Sequence, residues 1–129
     1  MTPETSKVFE QLEKALTQLE KAIQAPVGSN RLEIDGTIQR FEFTIELFWK
    51  ALKKKLADDH GIEVFGPKPV MQQSYATKLI SDEKIWLKML EDRNLTSHTY
   101  KQDLADQIYK NIKTYSPFLR KELNKLQST

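Results

Sequence analysis

Seven apolar residues, Ile34, Ile38, Phe41, Ile45, Phe48, Leu52 and Leu56, recur at intervals of three and four through the middle of the chain. That spacing returns every side chain to one face of an α-helix, whereas a half-buried strand would need alternation by two. The stripe runs close to a heptad repeat for about four repeats, so it demands one long helix lying against a continuous apolar surface. Asn30 followed by Glu33 has the spacing of a capping box, which predicts a start near Arg31, an end near Asp59 and a stop at Gly61.

A helix of that length needs other helices to cover it. Val8, Leu12, Leu16, Leu19 and Ile23 form a second stripe, opened at Thr2 or Thr5 with Pro3 and Glu4 in the first turn, and ended by "APVGSN". Leu104, Ile108, Ile112 and Tyr115 form a third, with Thr99 and Gln102 as the capping box of a helix starting at Tyr100. Pro117 then kinks that helix or restarts it for "FLRKELNKL". Between the long helix and the third stripe, "GIEVFGPKPV" reads as a loop and Val70 to Leu79 as a short helix. Ser81 is placed to cap a further helix that turns Ile85, Trp86, Met89 and Leu90 inward and runs to about Ser97, with Asp82 and Glu83 against its dipole. With 129 residues, 4 Gly and 5 Pro, the expectation is one all-α domain over residues 1–129, an up-and-down four-helix bundle with short extra helices.

Composition removes several function classes. The absence of cysteine excludes disulfides, thiolate nucleophiles and sulfur-ligated metals. A formal charge of +2 is too small to draw nucleic acid by bulk electrostatics, so any phosphate contact must be local. Mean hydropathy is −0.58, no apolar run reaches bilayer length, and "MTPETSKVFEQ" has no apolar signal core. No membrane partner is expected, and the expected compartment is the cytoplasm.

Chemistry concentrates in "LEDRNLTSHTY", Leu90 to Tyr100, which gathers Arg93, Asn94, His98 and Tyr100. Histidine exchanges a proton near neutral pH, and arginine presents a permanently charged planar fork to phosphate oxygens. Beside an RNA phosphodiester the pair could promote attack by the ribose 2′-hydroxyl and stabilise the charge that develops. Five residues apart on a straight helix, the two side chains diverge by about 140°; they converge better if the helix ends between them. One histidine does not readily serve as both base and acid, so the chemistry calls for a two-fold dimer that supplies a second. An arginine and a histidine at a helix C-terminus also complement the helix dipole, and R-x4-H by itself does not choose between the two readings.

"EDRNLTSHTY" resembles the R-x4-H-x-Y motif of HepT-like proteins, within the Arg-x4–6-His pattern of HEPN domains. "IQRFEFTIELFWKALKKKL", Ile38 to Leu56, is similar to the long helix of the branch called nucleotidyltransferase substrate-binding proteins. The resemblance implies a helical bundle that dimerises and works with a minimal nucleotidyltransferase. It implies a metal-independent ribonuclease toxin, with Arg93 and His98 catalytic and Asn94 supporting them. Tyr100 would be the acceptor of an AMP that the partner transfers to silence it. The branch name implies an alternative, a non-catalytic subunit that binds nucleotide or substrate for the transferase.

On the polar flank of the long helix, Glu42 and Glu46 are then candidates to face the site or a second subunit, a solvated face being the other reading, and Glu46 and Lys50 have ion-pair spacing. Two glutamates do not make a cation site, so neither metal nor cofactor is expected. Phe41, Phe43, Phe48 and Trp49 read as core or dimer interface, Trp86 as core, and Lys53 to Lys55 as a solvated run.

Overall fold

A computed structural model describes residues 1–128. It is all-helical: α1 Pro3–Gln24, α2 Leu32–His60, α3 Pro67–Ala76, α4 Glu83–Leu95, a single 3₁₀ turn Thr96–His98, and α5 Gln102–Gln127. The four longer helices form the bundle, and α3 is the short addition. At 29 residues α2 is the longest, about 43 Å by the helical rise, and it packs against α1, α3, α4 and α5. All seven residues of its stripe are buried. Thr37 and Thr44 share that buried face because each hydroxyl donates to the carbonyl four residues back, Glu33 and Arg40, at 2.7 Å. Gly61 ends α2 in a left-handed conformation (φ 63°) as the sequence predicts, its N–H meeting the Ala57 carbonyl.

The interior is organised by aromatic rings. Trp86 of α4 meets Phe48 edge-on at 5.0 Å between centroids and Phe118 at 5.8 Å, while Phe41 stacks on Tyr115 at 6.0 Å. Such pairs add about 0.5–1.5 kcal/mol each beyond their area. They tie α2 to α4 and α5, and α4 to α5. Phe43, by contrast, is exposed in this chain and is not part of the core. Lys55 departs from the solvated run expected of Lys53 to Lys55: it is buried, with its ammonium on Asp59 at 3.0 Å.

Three predicted caps are made differently. Glu33 accepts from the Gly28 N–H instead of closing a box with Asn30, and the residue before α2 is Arg31 in a left-handed conformation (φ 61°). Asp82, not Ser81, caps α4, with its carboxylate accepting from the Ile85 N–H. Ser81 is drawn off by α5: its N–H and hydroxyl donate to Glu122 Oε1 at 2.7 and 3.0 Å. Thr99 donates to the Thr96 carbonyl, so α5 starts at Gln102 behind Lys101 with no side-chain cap. α3 begins at Pro67, three residues before the predicted start, because Pro67 and Pro69 suit the first turn of a helix. It ends at Ala76, where Lys78 turns left-handed (φ 65°) and the Leu79 and Ile80 N–H groups both return to the Ser74 carbonyl. Pro117 neither restarts nor ends α5. It lies on the exposed face, where water can satisfy the Lys113 carbonyl, and burial of Tyr115, Leu119 and Leu123 on the other face outweighs its cost of about 3 kcal/mol.

Candidate active site at the junction of α4 and α5

α4 ends at Leu95, between Arg93 and His98, and the chain turns through Thr96–His98 before α5. The last turn of α4 is fixed from two sides. Asp92 is buried and accepts from the Tyr115 hydroxyl at 2.6 Å and the Asn111 amide at 3.0 Å, both on α5. Burial, reinforced by the hydrogen bond to Asp92, pushes the Tyr115 hydroxyl well above the ordinary phenol range. On the α2 side, Thr96 donates to Glu42 Oε2 at 2.9 Å and can turn its hydroxyl to the Arg93 carbonyl at 2.7 Å.

Arg93 thereby faces two carboxylates of α2, Glu42 at 3.5 Å and Glu46 at 3.8 Å. Glu46 also pairs with Lys50 at 3.7 Å, as its spacing predicts. Both Arg93 contacts are electrostatic; none of its five N–H donors makes a hydrogen bond among the described residues, and Nε is buried without a partner. Arg120 shows the contrast. It spends its donors on both oxygens of Glu20, on Glu13 and on Thr17, clamping α5 to α1. Those bonds, to Glu20 first, push its already high pKa further up, and Arg120 holds the Glu13 carboxyl below its usual range. Arg120 is a structural clamp, whereas Arg93 is held in place with its donors unspent.

His98 and Tyr100 are exposed, Tyr100 at 77%, and pair with each other: the hydroxyl lies 3.5 Å from Nδ1, with the rings edge to face at 6.0 Å. Asn94 is exposed and lines a groove of about 540 Å³ with Arg93, Glu46, Trp49 and Lys68. So the structure joins Arg93 with Glu42 and Glu46, sets Asn94 beside Arg93, and joins His98 with Tyr100. No hydrogen bond or ion pair among the described residues links Arg93 to His98. Sequence spacing alone does not single out Thr96 and Asp92 as the supports of this turn. Thr96 stands inside the motif, but nothing in local spacing shows that its hydroxyl reaches α2. Among the described residues, no group of three or more His, Asp and Glu side chains converges as metal ligands do, and no helix is long and apolar enough to cross a membrane.

The likeness to known proteins agrees with the family resemblance of the sequence. Over 97 residues the chain is 36% identical to a Haemophilus influenzae protein named "Probable ribonuclease HepT", covering 70% of this chain and 66% of that protein, just under two thirds of its length. A crystal structure from Thermus thermophilus superposes with a TM-score of 0.82 at 37% identity, covering 89% of this chain and 98% of that one. A second, from Haemophilus influenzae and described as the fold of a substrate binding domain of a nucleotidyltransferase, gives 0.64 at 27% identity, with 95% and 96% covered. Residues 7–128 match the model of the family described as "Nucleotidyltransferase substrate binding protein like". With nearly all of its length matched, the chain belongs to the nucleotidyltransferase substrate-binding family.

Proposed function

We propose that this protein is a metal-independent endoribonuclease of the cytoplasm, paired with a minimal nucleotidyltransferase in a toxin–antitoxin-like system. The observation that carries the reading is the Arg93 guanidinium, positioned by Glu42 and Glu46 with its donors unspent. It stands at the end of a helix whose next turn presents the His98–Tyr100 pair. In this mechanism His98 takes the proton of a ribose 2′-hydroxyl as its oxygen bonds to phosphorus. The 5′-oxygen leaves with a proton from a second acid, giving a 2′,3′-cyclic phosphate. Arg93 stabilises the charge on the phosphoryl oxygens between these steps, and Asn94 hydrogen-bonds beside it. Because one histidine does not readily serve as both base and acid in a turnover, the working site is assembled in a homodimer, where the second copy's His98 supplies the acid. The partner silences the enzyme by transferring AMP to Tyr100, whose hydroxyl is open to it.

The test is cleavage of a mixed RNA substrate by purified protein in excess chelator, with His98→Ala alongside. Cleavage by wild type alone supports the reading, and equal cleavage by both refutes it. Under the second reading the protein binds nucleotide or substrate for the transferase without cutting RNA; the groove beside Arg93, bordered by Trp49 and Asn94, favours it. Silence from unmodified dimeric wild type, with nucleotide binding lost in Arg93→Ala, would establish that reading instead.

A further inference from the structure

Trp49 borders two grooves. One is the groove beside Arg93; the other, of about 570 Å³, runs on along α2 to the loop between α2 and α3. The second groove carries Lys50, Lys53 and Lys54 against one acid, Glu63, and ends at Phe65, a residue 76% exposed. The Lys53 ammonium sits 4.7 Å from the centroid of that ring. Trp49, between the grooves, has its indole N–H buried without a partner, as Arg93 has its Nε. Phe65 stands outside the buried core, an exposed aromatic ring beside lysines. Together they supply the two elements by which single strands of nucleic acid are held, a π-face for a base and cations for phosphates. An acidic peptide would use the lysines and leave the ring unexplained.

We propose that the second groove is the binding track for the single-stranded RNA flanking the cleaved bond, with Phe65 stacking a base and Lys50 and Lys53 following the phosphates past Trp49 from Arg93. The inference rests on RNA being the ligand of the Arg93 cluster. Lys54 is committed to Glu4 on α1 and contributes only to the local field. Lys50 gives up its 3.7 Å contact with Glu46 to reach a phosphate, which leaves both Glu46 and Glu42 to hold Arg93.

The experiment measures binding of a labelled single-stranded 12-nucleotide RNA by anisotropy across a salt series, in the His98→Ala background so that nothing is cut. Phe65→Ala is expected to weaken binding about tenfold, within the range of one base–aromatic stack. Lys50→Gln with Lys53→Gln is expected to flatten the slope of log K against log salt by about 1.4, or 0.7 for each phosphate contact on a single strand. Lys50 and Phe65 are exposed and Lys53 is half-exposed, and unchanged melting of the variants checks that the fold is intact. Unchanged affinity and slope in all of them would overturn the track, whether or not wild type cleaves RNA. RNA affinity retained but transferase binding lost in Phe65→Ala would also overturn it, making this face a protein-docking surface. Should wild type bind RNA through Phe65 and the two lysines yet never cleave, the track stands and the ribonuclease reading falls.

Discussion

Replacing Tyr115 with phenylalanine removes one oxygen and tests what holds the Arg93 turn in place. The ring keeps its stack on Phe41 and its buried position. What disappears is a 2.6 Å hydrogen bond to the carboxylate of Asp92, which is 6% exposed and retains only the Asn111 amide. A hydrogen bond to a charged group contributes about 1.5–3 kcal/mol, and the burial of both partners puts this one toward the upper end. With a urea m-value of about 1–3 kcal/mol/M for a domain of this size, the midpoint should fall by roughly 1–2 M at unchanged m. The pH dependence supplies an independent check. Tyr115 has a folded pKa raised above its unfolded value, so its contribution is complete below pH 10, the unfolded value, and is lost as pH rises toward the folded one. The difference between wild type and Tyr115→Phe should therefore shrink above pH 10, by about 1.4 kcal/mol per pH unit. Urea unfolding at pH 7, 9 and 11 and at one protein concentration measures both effects. A loss under about 0.5 kcal/mol at pH 7, or a difference that stays constant to pH 11, would refute the account of Asp92 as an anchored carboxylate.

Glu122→Ala should destabilise by about 3–5 kcal/mol, because it strips the acceptor from the Ser81 N–H and the Trp86 indole at once. Glu122→Gln, which keeps that oxygen, should cost about 1 kcal/mol, and equal losses in the two variants would show that charge rather than acceptance matters. Arg120→Lys should cost about 1–2 kcal/mol, since an ammonium cannot meet both oxygens of Glu20 and Glu13 together. In wild type the depressed Glu13 carboxyl adds stability that is full above its unfolded pKa and lost as pH falls below about 4.5; that acid limb should flatten in Arg120→Lys. Arg93→Lys should lower the melting temperature by no more than about 4 °C, because its half-buried ion pairs are worth under about 1 kcal/mol, while the proposed RNA cleavage falls at least a hundredfold. A large drop in melting temperature would recast Arg93 as structural.

Residues such as Ile34 to Leu56 made the bundle legible because periodicity is a property of neighbours three and four apart, and burial rewards it directly. Caps were less legible for a physical reason. Ser81 has the local chemistry to cap α4, but a buried carboxylate 41 residues away competes for the same groups and wins. Pro117 shows the same override, since the apolar stripe of α5 stays in phase across it. At the candidate site, Arg93, Asn94, His98 and Tyr100 were visible as one short cluster. The groups that hold the cluster were not: Asp92 finds Tyr115 at a separation of 23 and Thr96 finds Glu42 at 54. Glu42 and Glu46 stand out only through the resemblance of α2, since nothing in their own spacing points to Arg93.

The chain has two tryptophans, and the fold has given them different surroundings. Trp86 is sealed between Phe48 and Phe118 with its indole tied to Glu122. Trp49 is half-buried at the divide between two open grooves, its indole untied. The molecule therefore carries two intrinsic fluorophores with separate jobs. Emission from Trp86 follows the integrity of the interior, and emission from Trp49 follows whatever occupies the surface of α2. A quencher that reaches only the surface would read the second without the first, so occupancy and unfolding can be followed in one unlabelled sample.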